Sequence, residues 1–244
     1  MKTLFLAWQS PETRAWFPVG RLEADEYQSQ YVFHYTRGVD RAKLEGFHPM
    51  SSFPDFSKRY ESSELFPLFK NRVLTSNRRG FEDYLRSLDL DTSSLDLLDI
   101  LAITGGERQT DSLEVFPKLE KADDSTFRCR FFLHGLRYCH ETVRERILAL
   151  QVGESLGVLL ELNNPATGLG FQFKTQDQLL LGWSPRYLVD DLIGAAVSYH
   201  HLEAKVVLNN PEGTPLNRRV LIEMTGKLPE NYQPMSSEDF QVFH

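Results

Sequence analysis

The chain has 244 residues, enough for two ordinary domains, and its 41% hydrophobic and 12% aromatic content can fill their cores. A formal net charge of −7 excludes a protein that coats nucleic acid over its whole surface, so any contact with a polyanion must be local. No apolar run is long enough to span a membrane and residues 1–8 are too short and polar for a signal peptide, so a cytoplasmic protein without membrane contact is expected.

Leu4–Trp8 and Ala15–Val19 flank a turn containing Pro11 and predict a hairpin whose second strand continues through Gly20, Arg21 and Leu22. Tyr31, Phe33 and Tyr35 alternate along a third, half-buried strand that Gly38 ends. Residues 40–61 contain Gly46, Pro49, Ser51, Ser52 and Pro54 and predict an irregular connection. Leu65, Phe66, Phe69 and Val73 form one apolar helical face, and because Pro67 fits only in a first turn, that helix starts near Leu65. After a turn at Asn77–Gly80, a short helix is expected over Phe81–Leu88. A third, over Ser94–Ile103, is stopped by Gly105 and Gly106. Asp111–Phe116 returns as a strand that Pro117 ends.

The polar stretch Lys118–Ser125 has no apolar period and marks a domain boundary. Beyond it, alternation points Phe127, Cys129, Phe131 and Leu133 inward and Arg128, Arg130 and Phe132 outward. Glu141–Leu150 is helical, with Val143, Ile147 and Leu150 on its buried face. Strands at Leu156–Leu162 and Leu169–Lys174 flank an Asn163–Gly168 turn. In Leu179–Leu188, three leucines form a buried strand, Gly182 lets the backbone turn, and Ser184 caps a helix that Pro185 starts. Arg186 and Tyr187 project from that first turn beside Trp183, where a cation and two aromatics can hold a phosphate and stack on a base. Ala204–Leu208 and Arg218–Gly226 close the domain as a hairpin, and the tail from Lys227 crosses the surface as loop. The expected division is 1–118, 119–226 and a 227–244 tail.

No catalytic constellation is present: there is no G-x-S-x-G elbow, H-E-x-x-H pair or phosphate-binding loop. Asp123-Asp124, Asp190-Asp191 and His200-His201 are adjacent pairs that cannot converge from one helix face, and Cys129 and Cys139 lack zinc-ligand spacing. No enzyme activity, metal or cofactor is expected. Between Arg128 and Arg146, five arginines and two histidines face only Glu141 and Glu145, a basic patch on an acidic protein.

Four pieces recur in order: Phe131–Tyr138 ending in Gly-Leu-Arg-Tyr, Gly153-Glu154, Asn163-Asn164-Pro165, and Leu181–Arg186 reading Leu-Gly-Trp-Ser-Pro-Arg. This order, over roughly residues 126–195, resembles the HIRAN domain. The resemblance implies a small OB-like β-barrel that binds single-stranded DNA at its 3′ end, in a repair, replication or defence context. It implies that the contacts are made by Arg137, Tyr138, Asn163, Asn164, Trp183, Arg186 and Tyr187. Where that family reads Asn-Pro-Tyr-Asp, this chain has Ala166 and Thr167, which removes an aromatic and a carboxylate used against the terminal base and hydroxyl. Residues 2–117 are similar to the N-terminal subdomain of HipA-type kinases, but no glycine-rich loop, HRD-like run or DFG-like carboxylate accompanies them. That implies a structural module and a protein-partner surface without phosphotransfer. The expected fold is α+β, a small antiparallel sheet with helices followed by the HIRAN-type barrel. The alternative function is a non-catalytic protein–protein interaction module with a decayed DNA groove.

Overall fold

Alternating aromatic and polar residues build the first of two antiparallel sheets in the computed structural model, which describes residues 1–25, 28–74, 78–91, 96–108, 110–164, 168–199 and 202–244. The chain is α+β and divides into two units. One holds Met1–Phe81, Thr92–Lys118 and Met235–His244; the other holds Glu82–Asp91 and Leu119–Pro234.

In the first unit, β1 (Lys2–Gln9), β2 (Trp16–Asp25), β3 (Gln30–Tyr35), β4 (Tyr60–Ser62) and β5 (Leu113–Pro117) lie in the order β4-β3-β2-β1-β5. Phe5, Phe33, Tyr35, Phe53, Phe69 and Phe116 are fully buried, and the Phe33 and Phe53 rings stack with centroids 4.0 Å apart. Tyr35 Oη donates to the Phe53 carbonyl at 2.7 Å and accepts the Met50 N–H at 2.8 Å, which fastens the following loop over the sheet.

That loop is not irregular throughout, because α1 (Gly38–Leu44) occupies its start. Gly38 opens the helix as well as ending the strand: a Cβ there would lie 2.0 Å from the Pro18 carbonyl oxygen, so only glycine allows this close approach. Val39 and Ala42, three apart, supply the buried stripe. α2 (Pro67–Lys70) does carry proline at its first position, but it lasts one turn. The chain then turns so that buried Arg72 can reach Asp111 at 2.6 Å and the Gly106 carbonyl at 2.9 Å. After α3 (Phe81–Arg86), which beyond Phe81 belongs to the second unit, α4 (Leu97–Thr104) starts where Asp96 accepts the Leu98 N–H at 2.9 Å and ends at Gly105 with φ of 71°.

The segment expected as a surface tail is instead built into this unit over its last ten residues. Thr36 bridges Val242, the Phe243 N–H donates to the Tyr35 carbonyl at 2.9 Å, and the Phe240 ring meets Phe5 edge-on at 4.8 Å. Aromatic residues spaced 240 and 243 carry that packing, a signal outweighed in the sequence by the prolines and serines around them.

In the second unit, β6 (Thr126–Phe132), β7 (Ser155–Asn164), β8 (Gly168–Lys174), β9 (Leu180–Trp183), β10 (Leu202–Asn209) and β11 (Val220–Lys227) lie in the order β6-β11-β10-β7-β8-β9. β7 is shared between halves: Ser155 and Leu156 pair with β10, and the rest of the strand pairs with β8. His134, just past β6, makes an isolated antiparallel bridge with Trp183 of β9, so the outer strands touch at one point without a ladder that would close a barrel. α5 (Glu141–Leu148) packs near β9, and α6 (Val189–Tyr199) packs on β8 and β11.

Three local expectations change here. Of the three leucines expected in a buried strand, only Leu181 is buried and Leu180 is 44% exposed. Phe132, expected outward, is buried together with Phe131, because β6 is covered on both faces at its end. Ser184 caps nothing: Pro185 is extended at φ −56° and ψ 144°, which delays the 3-10 turn to Arg186–Leu188 and the α-helix to Val189. The serine hydroxyl is buried and has no hydrogen-bond partner among the described residues. The Asn77 end of the expected turn, the start of the third helix before Asp96, Pro165, Ala166 and Thr167, and the His200-His201 pair lie outside the described residues. Among the described residues no helix is long and apolar enough to cross a membrane.

Candidate functional site

The basic patch of the sequence resolves into engaged and disengaged arginines. Glu223 on β11 sits directly between Arg130 on β6 and Lys205 on β10 in the strand register. Its carboxylate meets Lys205 Nζ at 3.0 Å, Arg130 Nε at 3.2 Å and Arg128 Nε at 4.0 Å. Burial alone would raise the Glu223 pKa, but hydrogen bonds from Lys205 and Arg130 more than offset it and hold the carboxyl below its usual range. Arg130 also pairs with Asp89 at 2.9 Å. Arg146 is taken by Glu154 and, at 3.2 Å, by Asp177. Arg144 donates to the Arg137 carbonyl at 3.1 Å.

Arg137 is different. It lies with Leu136 and Tyr138 in an exposed 3-10 turn that Gly135 begins in the left-handed region, at φ 77°. Its guanidinium carbon sits 4.8 Å from the centre of the Tyr138 ring, and it forms no ion pair with any described residue. Leu136 anchors the turn in the core, while Tyr138 is 71% exposed. A tyrosine this exposed beside a cation presents a stacking face to solvent instead of serving the core.

The second cluster forms around Trp183. Its indole lies over Gly135, where a Cβ would come within 2.3 Å of the ring, and beside Gly170, where a Cβ would lie 3.5 Å away. Trp183 Nε1 donates to Glu161 Oε2 at 2.6 Å, and Asn164 Nδ2 donates to the same oxygen at 2.8 Å. Glu161 faces Gly170 across the β7–β8 ladder, so a carboxylate, an amide and an indole surround a position with no side chain. His134 is joined to Trp183 through both backbone hydrogen bonds of their bridge, at 2.9 and 3.0 Å. Burial pushes its imidazole down to about 4, and the charge of Arg186 pushes the same way.

Of the seven residues expected at the site, Trp183 and Asn164 are joined through Glu161, and Arg137 and Tyr138 follow the glycine under the indole. Arg186 is exposed and close enough to act on His134, and Tyr187 beside it is half-buried. Asn163 is exposed on β7 and its side chain makes no hydrogen bond with the described residues. Sequence reasoning gave Gly135 only as part of the Gly-Leu-Arg-Tyr run and missed Glu161 and Gly170. The signal for the last was a glycine inside the apolar strand Gly168–Lys174, a mark of close approach by another group. The half-buried Cys139 thiol donates to the Leu181 carbonyl at 2.9 Å, and burial raises the Cys129 thiol to about 12, so both act as structural cysteines.

No protein-family model and no curated protein matches this chain. A crystal structure of a protein from Lactobacillus plantarum is similar to part of it, at 16% identity over 43% of this chain and 93% of that one, with a TM-score of 0.33. A likeness of that size carries no argument about fold or function.

Proposed function

We propose that the second unit binds single-stranded DNA through a HIRAN-like surface centred on Arg137, Tyr138 and Trp183, and that the chain itself is not an enzyme. One observation carries this reading: Arg137 and Tyr138 form an exposed cation–aromatic pair while Arg130 and Arg146 are held by carboxylates. Single strands are held by such pairs, because every base offers a face for stacking and every phosphate a charge. Arg137 and Arg186 supply the cations, and Glu161 repels phosphate, so the backbone runs along the arginine side with its bases turned toward Trp183. The HipA-like first unit serves as a structural module.

The test is fluorescence anisotropy at low salt with a labelled single strand and its duplex. Preferential binding of the single strand is expected, and Arg137→Ala should weaken it uniformly across sequences and reduce the salt slope by about one. Free and blocked 3′ ends, compared in the same assay, report whether end recognition persists with Ala166 and Thr167 in the chain. No binding by the wild type, or none lost in Arg137→Ala, ends the proposal.

One observation favours the second reading, a protein-interaction module. Leu160 and Leu162 on β7 are 43% and 65% exposed, and Leu169 on β8 is also exposed. Apolar side chains gathered on one hairpin are a feature of protein contact surfaces. Leu169→Ser separates the readings, since it removes part of the apolar patch without adding charge: it should weaken a protein contact and leave DNA affinity unchanged.

A further inference from the structure

We infer that Glu161 is a specificity-determining residue that selects, beside Trp183, a base carrying an exocyclic amino group over thymine; this rests on the single-strand reading above. A carboxylate has two oxygens with about four acceptor positions. Here Oε2 accepts both the Trp183 and the Asn164 donors, at 2.6 and 2.8 Å, while Oε1 accepts no hydrogen bond from any described residue. Two donors on one oxygen fix the carboxylate plane and leave the other oxygen as an oriented acceptor next to the indole. No lysine or arginine among the described residues pairs with Glu161, so its charge is not spent elsewhere.

A glycine leaves the strand position facing this carboxylate without a side chain. Gly170 stands opposite Glu161 in the ladder, and a Cβ there would come 3.5 Å from the indole, 3.7 Å from Asn164 Nδ2 and 3.7 Å from Glu161 Oε2. The Glu161 side chain is half-buried, and a base edge reaching its Oε1 beside the indole meets an acceptor and a negative charge. Cytosine, adenine and guanine each carry an amino group that can donate to it. Thymine offers a single imino N–H between two carbonyls that the carboxylate repels.

Matched oligodeoxycytidine and oligodeoxythymidine, compared by anisotropy, test this, since both are pyrimidines and stack alike. The wild type should bind the cytidine strand about fivefold more tightly, the low end of what one good base contact contributes. In Glu161→Gln the amide oxygen can still accept from Trp183 and Asn164, but the free position becomes a donor, so the preference should vanish or reverse toward thymidine. A cytidine strand methylated twice at its amino nitrogen should fall to the thymidine level with the wild-type protein alone. Equal binding of the two strands, an unchanged preference in Glu161→Gln, or full affinity for the dimethylated strand overturns the inference while leaving single-strand binding intact. If neither strand binds at low salt, the underlying reading fails and takes this one with it.

Discussion

Whether an arginine can receive a phosphate depends on what already holds it. Arg130 and Arg146 look equivalent to Arg137 in the sequence, yet Glu223 and Asp89 hold the first and Glu154 and Asp177 the second. An ion pair across strands is fixed by register, which a linear count of charges does not contain. His134 shows the same dependence on surroundings. Its imidazole is held down to about 4, below the ordinary value of 6.5, so between those values the unfolded chain binds more protons than the folded one. Stability should therefore fall as pH drops from about 6.5 toward 4, by up to roughly 3 kcal/mol from this group. Urea melts at pH 7 and pH 4.5 check it: the wild type should lose stability over this interval and His134→Gln should lose less. Equal losses in both proteins would show that His134 does not govern this window. Glu223, whose carboxyl is held low, adds its own loss as pH falls through the usual carboxylate value toward its lowered one.

Among the elements, short segments depend on tertiary contacts more than on local propensity. α4 has both its signals in the sequence, an aspartate at the start and a glycine at the end. α1 lacks a side-chain cap and begins at a glycine that sequence reading takes as a strand stop, so only its packing against Pro18 explains it. The final segment makes the point most strongly. Phe240 has no strand or long helix around it, but its ring lies 4.8 Å from Phe5 and 6.4 Å from Phe116, in the core of the first sheet. Phe240→Ala should therefore destabilise the first unit by about 2 kcal/mol, below the cost for a fully enclosed ring because Phe240 is only half-buried. Thermal denaturation followed by circular dichroism reads this out; an unchanged midpoint would mean that the segment rests on the sheet without supporting it.

At the scale of the molecule, strand alternation made most of both sheets legible, including the Tyr31–Tyr35 and Phe127–Phe131 patterns and the closing β10–β11 hairpin. What stayed hidden depends on residues far apart in sequence. Glu161 joins Trp183 and Asn164 through a bond across 22 positions, and Gly135 is needed because an indole 48 positions later lies on it. Neither has a local period to announce it. The site was readable as a set of aromatic and basic residue types, but the carboxylate at its centre was not. The central claim is that one surface of the second unit, running from Gly135 through Glu161 to Trp183, receives an unpaired strand. Amide NMR spectra recorded while an unlabelled single strand is titrated into the protein test it most directly. The account predicts shifts concentrated at 134–138, 161–164, 170–172 and 183–187, with the first unit unmoved. Shifts confined to other residues, or a spectrum that does not change at low salt, would contradict it.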